Sequence, residues 1–213
     1  MPTFSLPDSI TFETLQGDFG AALDEVARLR LTLFREFPYL YAGSAESERE
    51  YLQTYAAAPG ALLVLARDSG AAGRVVGAAT AVPLAYEVAE LQAPFRAAGL
   101  DPAQVLSVGE VLLEAEYQSL GLGGELLQRA GAHAAALGLP LVAAAMVQRP
   151  ADHPLMPAGW RSPRRFVERH GYVMHPELDT TLTWQELGED GPSPKPMRFW
   201  VLDRRPGPES AAH

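Results

Sequence analysis

A glycine-rich turn between an apolar strand and an apolar helix constrains this chain more than any other feature. Val105 to Leu113 (VLSVGEVLL) reads as a strand, and the segment Glu116-Tyr117-Gln118-Ser119-Leu120-Gly121-Leu122-Gly123-Gly124 follows it. From Gly123 to Leu137, the residues Leu126, Leu127, Ala130, Ala134 and Leu137 fall on one helical face. Gly138 and Pro140 stop that helix, and Leu141 to Val147 returns as a buried strand. Strand, tight turn, helix, strand is a right-handed crossover between two parallel or splayed strands. Its first turn is where chemistry is expected. Glycines there permit positive φ and close approach, and the first helical turn offers unpaired N–H groups and the positive dipole end, which together suit a pyrophosphate. A bare pair of glycines equally serves a plain tight connection.

The rest of the chain frames this unit. Thr11 to Leu15 alternates as a short strand, and Leu23, Val26, Ala27, Leu33, Phe34 and Phe37 recur at helical spacing over about five turns until Pro38. Ser47-Glu48-Arg49-Glu50 has the capping-box pattern and predicts a second helix with Ser47 at its cap. Ala61 to Ala66 and Arg74 to Val82 read as an antiparallel pair closed by Pro83. Leu84 to Pro102 is a helical excursion between strands. After the long connection from Gln148 to Arg161, Ser162-Pro163 opens a helix that Gly171 ends, and Thr180 to Glu186 and Met197 to Leu202 are two final strands. Residues 1–205 thus form one domain, and 206–213 a solvated, flexible tail.

Composition closes off several function classes. Seventeen Lys and Arg against 26 Asp and Glu give a net charge of −9, which repels phosphate backbones and anionic lipid, so neither nucleic acid nor a membrane is an expected partner. The absence of cysteine removes disulfides, thiolate nucleophiles and Cys-ligated metal centres, and suits a reducing cytoplasm. Met1 to Ile10 lacks the basic and apolar regions of a secretion signal. Ala130 to Val147 is long and uncharged, but Gly131, His133, Gly138 and Pro140 make it helix, turn and strand rather than a membrane span.

The segment QSLGLG fits a [Gln/Arg]-x-x-Gly-x-Gly signature, and downstream stands Phe166-Val167-Glu168-Arg169-His170-Gly171-Tyr172. In both blocks, and in the helix and strand between them, the sequence resembles the GNAT superfamily of N-acetyltransferases over about residues 60 to 175. The resemblance implies an α/β (α+β) fold with a mixed, mostly antiparallel central sheet of about six or seven strands flanked by four main helices. It also implies acetyl-coenzyme A as co-substrate, with the pyrophosphate on Gln118, Ser119, Leu120, Gly121, Leu122, Gly123 and Gly124. The acetyl group would move to an amine by direct attack, a strand N–H near Leu112 to Leu113 holding the developing oxyanion. Val167 stands where many relatives carry a tyrosine that protonates the departing thiolate, and no asparagine marks the start of that helix. A coenzyme A thiol with a pKa of about 8.5 leaves tolerably without that acid. A domain of this fold that binds acyl-coenzyme A without catalysis, as sensor or scaffold, is the alternative.

A base must remove the amine proton. Glu110, on the strand a few residues before the turn, is the candidate, acting directly or through water, and Glu114 and Glu116 are weaker ones. Strand alternation equally allows Glu110 to face solvent. The acceptor is a small-molecule or peptide amine of open identity, and pairing of terminal strands would give a homodimer. Phe34 and Phe37 read as core, while Tyr39 and Tyr41 suit core or acceptor pocket equally. Arg161, Arg164, Arg165 and Arg169 fit a solvated helix face better than a site for the 3′-phosphate. His153, His170 and His175 match no metal spacing, so no metal is expected. A dinucleotide fingerprint fails at Leu126 and at Gln148-Arg149, and neither a P-loop nor a nucleophile elbow is present.

Overall fold

The strands follow the runs of apolar and β-branched residues that the sequence displays. A computed structural model describes residues 6–205, so the expected tail at 206–213 lies outside the described residues. Seven strands form one sheet: β1 (Ile10–Gln16), β2 (Leu62–Asp68), β3 (Arg74–Pro83), β4 (Val105–Leu113), β5 (Leu141–Val147), β6 (Val173–Trp184) and β7 (Ser193–Asp203), in the order β1-β2-β3-β4-β5-β7-β6. Every neighbouring pair is antiparallel except β4 and β5. The described residues also form five α-helices: α1 (Ala22–Phe34), α2 (Ala45–Ala56), α3 (Ala89–Ala97), α4 (Leu122–Ala136) and α5 (Arg164–Arg169). None of these helices is long and apolar enough to cross a membrane.

Several boundaries differ from the sequence expectation. α1 stops at Phe34 instead of running to Pro38, because the residue before a proline is driven out of the helical region and the chain turns back earlier, with Tyr41 N–H donating to the Phe34 carbonyl at 2.7 Å. The N-cap of α2 lies three residues before the expected one. Ser44 is its N-cap, and Ser44 and Ser47 exchange side-chain and backbone hydrogen bonds at 3.2 and 3.1 Å, so that Ser47 does the work expected of a glutamate. β6 runs from Val173 to Trp184 rather than from Thr180 to Glu186, and β7 from Ser193 to Asp203 rather than from Met197 to Leu202, because the two strands pair with each other at both ends across a register shift.

The core has two faces. On one, α4 and Val167 of α5 cover Leu62, Val64, Ala79, Leu106, Val142 and Trp200. On the other, α1 and α2 cover Leu63, Leu65, Val75 and Ala78, while α3 covers Val105, Ala143 and Phe199, whose ring meets Phe95 edge-on at 4.9 Å. A bulge in β4 decides which side chains point where. Thr80 pairs with Glu110 and Ala81 with Val108, so Gly109 is the extra residue. Val108, Val111 and Leu113 therefore share the α4 face, and Leu112 lies with α1.

Candidate active site

The parallel pairing of β4 with β5 lasts only from Val105–Val108 against Leu141–Ala144; beyond the bulge the two strands part. The gap is lined by backbone that has lost its partner. Glu114 N–H donates to the Val76 carbonyl at 3.0 Å, so by strand alternation Leu112 also faces β3, and the N–H groups of Val111 and Leu113 turn toward the gap. Of the two expected oxyanion donors, Leu113 thus offers its N–H to the gap, and Leu112 offers it to the sheet. The Gln118 side chain reaches the Leu113 carbonyl at 3.4 Å and braces this end of the strand.

At the mouth of the gap lies the turn. Gln118, Ser119 and Leu120 are exposed, and Ser119 and Gly121 have φ of +65° and +87°. Gly121 caps α4, its carbonyl accepting from Gly124 N–H and Glu125 N–H at 3.1 and 3.3 Å. The preceding N–H groups, from Ser119 to Gly123, have no acceptor among the described residues. Free donors at the positive end of a fifteen-residue helix are suited to a pyrophosphate. The glycines divide their tasks. Gly121 supplies the left-handed backbone, whereas a Cβ at Gly123 would lie 3.2 Å from Phe166 and 3.3 Å from Leu113, and one at Gly124 would lie 2.8 Å from His170 Nε2. Leu122 is buried against Ala66 and Val76, so Leu122 and Gly123 present backbone alone to a ligand.

On the opposite face of β4 stands Glu110. Its side chain is 4% exposed, and Oε2 accepts from Arg30 Nη1 at 2.5 Å. Arg30 also donates through Nε to Glu48, and its guanidinium lies 4.9 Å from the ring centre of Phe34 and 4.4 Å from that of Tyr51. Glu110 Oε1 has no hydrogen-bond partner among the described residues. Burial raises the phenol of Tyr39, and the negative charge of Glu110 adds to this, pushing it up to about 12. The Glu110 carboxylate therefore does not face solvent: one oxygen is fixed by Arg30 and the other is left for a donor.

The α1–α2 connection walls this face. Arg149, just past β5, donates to the Pro38 carbonyl at 2.7 Å and to Glu186, and Trp184 Nε1 donates to the Tyr39 carbonyl at 3.0 Å. Phe34 and Tyr39 have ring centres 4.6 Å apart, and Phe37 meets Trp160 edge-on at 4.8 Å. Phe37 is thus core, as the sequence suggests, while Tyr39 belongs to the wall beside Glu110. The basic cluster at Arg161, Arg164, Arg165 and Arg169 is exposed, with Arg164 paired to Glu168 one turn on. Glu114 is held by Arg28 at 3.0 Å and by Arg74, and Glu116 is exposed. Residue 167 is a valine packed into the core against α4, and it offers no hydroxyl.

No protein-family model and no curated protein matches the chain. Among solved structures it superposes on a protein from Desulfovibrio desulfuricans assigned to the GNAT acetyltransferases, with a TM-score of 0.56 and 18% identity over 92% of this chain and 99% of that one. The fold is that of the GNAT acetyltransferases. An N-acetyltransferase from Staphylococcus aureus shares this GNAT fold at a TM-score of 0.59 and 14% identity, over 92% of this chain and 99% of its own. So does a protein from Salmonella typhimurium, described as an acetyltransferase and solved with its cofactor acetyl-CoA, at 0.58 and 13% over 92% and 95%.

Within this GNAT fold, sequence reasoning missed Arg30, Glu48 and Arg149. A signal for two of them was present. Arg30 follows Val26 and Ala27 on the buried stripe of α1, and Glu48 precedes Leu52 on that of α2, so both interrupt an apolar face with a charge. Their pairing across two helices has no counterpart in local spacing.

Proposed function

We propose that the chain transfers an acetyl group from acetyl-coenzyme A to a primary amine by direct attack. The observation that carries this reading is the meeting, at one point of β4, of a backbone gap with free donors on one side and the half-committed carboxylate of Glu110 on the other. The residues present fit the co-substrate: free N–H groups from Ser119 to Gly123 would hold its pyrophosphate, and the unpaired edge of β4 would take its amide-bearing arm as a further strand. Acetyl-coenzyme A supplies an activated acyl carbon. The amine nitrogen forms the new C–N bond, and the C–S bond breaks to release the thiolate. Leu113 N–H stabilises the oxygen that gains charge as that bond forms. Glu110 Oε1 takes the amine proton, directly or through one water, and Arg30 fixes its other oxygen so that the free one keeps its aim. The thiolate takes its proton from water, Val167 offering none.

The test is release of coenzyme A with a panel of amines, followed by the pH–rate profile of Glu110→Gln. Turnover in the wild type and a fall in kcat of roughly a hundredfold or more in the variant are expected. An unchanged kcat across pH removes Glu110 from this role. A valine at 167, with no hydroxyl to protonate the departing thiolate, favours one second reading, an acyl-coenzyme A binder without catalysis, which would bind acetyl-coenzyme A and release no coenzyme A with any amine.

A further inference from the structure

The turn before α4 has few hydrogen bonds of its own. Tyr117 N–H donates to the Glu114 carbonyl at 2.9 Å and Gln118 N–H to the Ala115 carbonyl at 3.2 Å, and no N–H from Ser119 to Gly123 has an acceptor among the described residues. The backbone there is nevertheless not relaxed. Ser119 has a φ of +65°, a left-handed conformation that a residue with a Cβ keeps only where its surroundings impose it. Whatever holds the turn must therefore act at its two ends.

Both ends are seated on the same spot. Leu122, which opens α4, is buried against Ala66 of β2 and Val76 of β3, and the Tyr117 ring packs onto that cluster from the other end of the turn. A polar link reinforces this second anchor. Tyr117 Oη donates to Asp68 Oδ2 at 2.8 Å, while Asp68 Oδ1 accepts from Gly70 N–H at 2.8 Å. The Asp68 carboxylate, at the end of β2, thus ties the turn before α4 to the β2–β3 hairpin. Hydrogen bonds from the Tyr117 and Ser9 hydroxyls and from Gly70 N–H hold its pKa below the usual carboxylate range, so it stays an ionised acceptor at neutral pH. The same bond raises the Tyr117 phenol, which stays a donor. Glu114, also beside the turn, takes no part in this link, because Arg28 holds it at 3.0 Å together with Arg74.

We propose that Tyr117 and Asp68 are positioning residues for the co-substrate: their hydrogen bond keeps the free N–H groups from Ser119 to Gly123 in the arrangement that a pyrophosphate takes up. This rests on the reading of that turn as the pyrophosphate site, and adds what keeps the site formed before a ligand arrives. Without the bond, binding must itself order the turn, and affinity falls by that cost. The test is calorimetric titration of acetyl-coenzyme A into the wild type, Tyr117→Phe and Asp68→Asn, each well below its unfolding temperature. Tyr117→Phe leaves the ring on Ala66 and Val76 and removes only the link, so binding weakened about fivefold or more is expected. Asp68→Asn is the conservative rescue. Its amide oxygen still accepts from Gly70 and its Nδ2 donates to the phenol oxygen, so the link survives and affinity is expected within about twofold of the wild type. Wild-type affinity in Tyr117→Phe overturns the proposal while leaving the pyrophosphate site in place. So does an Asp68→Asn protein that weakens as far as Tyr117→Phe, because the link would then not be what matters. No binding by the wild type removes the pyrophosphate reading itself, and the positioning role with it.

Discussion

Replacing Arg30 by methionine should cost this fold more than any other change of similar size at the site. The guanidinium is the common partner of Glu48 and Glu110, whose side chains are 2% and 4% exposed, and it is stacked between Phe34 and Tyr51. Methionine fills most of the volume but leaves two carboxylates buried without a cation. Breaking one buried ion pair by removing a partner costs about 3–5 kcal/mol. The two ring contacts add about 0.5–1 kcal/mol each, partly recovered by the thioether. An expected loss of about 4 kcal/mol at pH 7 follows. The loss should depend on pH in one direction. Stranded carboxylates have folded pKa values above their unfolded value of about 4.3, so the folded state binds the extra protons and stability is regained as pH falls toward that value. Urea unfolding of both proteins at pH 7 and pH 5, extrapolated to water, measures this, and the deficit should shrink by about 1–2 kcal/mol at the lower pH. A loss below about 1 kcal/mol, or one that does not change with pH, would show that Arg30 does not neutralise the two carboxylates.

Other outcomes follow from the same geometry. Gly77→Ala places a Cβ 2.5 Å from Leu113 Cδ2 and 2.9 Å from the Leu112 carbonyl, so β4 must shift; a loss of about 1–3 kcal/mol in chemical denaturation is expected, together with weaker acetyl-coenzyme A binding, and an unperturbed affinity would show that the gap tolerates movement of β4. Burial holds the phenols of Tyr39 and Tyr172 near 12 against about 10 unfolded, so their contribution is intact below pH 10 and lost as pH rises toward 12, by at most about 1.4 kcal/mol per pH unit for each. Ultraviolet difference titration should show at least two tyrosines ionising only with unfolding; all seven titrating near pH 10 in the folded protein contradicts this.

Much of the sheet was legible because β4 and β5 carry their own punctuation. Val105 to Leu113 and Leu141 to Val147 begin and end where the apolar runs do, with Gln104 and Glu114 flanking the first and Pro140 and Gln148 the second. The glycine turn was legible for the same reason. What could not be read is what each glycine does: Gly121 is required by its φ of +87°, whereas Gly123 and Gly124 are required by Phe166 and His170, some forty residues away in sequence. Glu110 was visible as a carboxylate near the turn, but its direction depended on the bulge at Gly109, which inverts the alternation and is encoded in the pairing with Thr80. The Arg30 clamp joins α1, α2 and β4, and the limits of β6 and β7 depend on their pairing with each other. Such contacts are set by tertiary packing, which local periodicity does not carry.

The most direct measurement of the central claim is calorimetric titration of acetyl-coenzyme A into the wild type and into Leu120→Asp. Leu120 is exposed beside the free N–H groups, so the aspartate puts a like charge where a pyrophosphate would lie without disturbing the packed positions 122 and 123. Tight binding by the wild type, weakened about tenfold or more in the variant at unchanged thermal stability, is the expected result. Equal affinity in the two proteins, or no binding by the wild type, would mean that the turn before α4 does not hold the co-substrate.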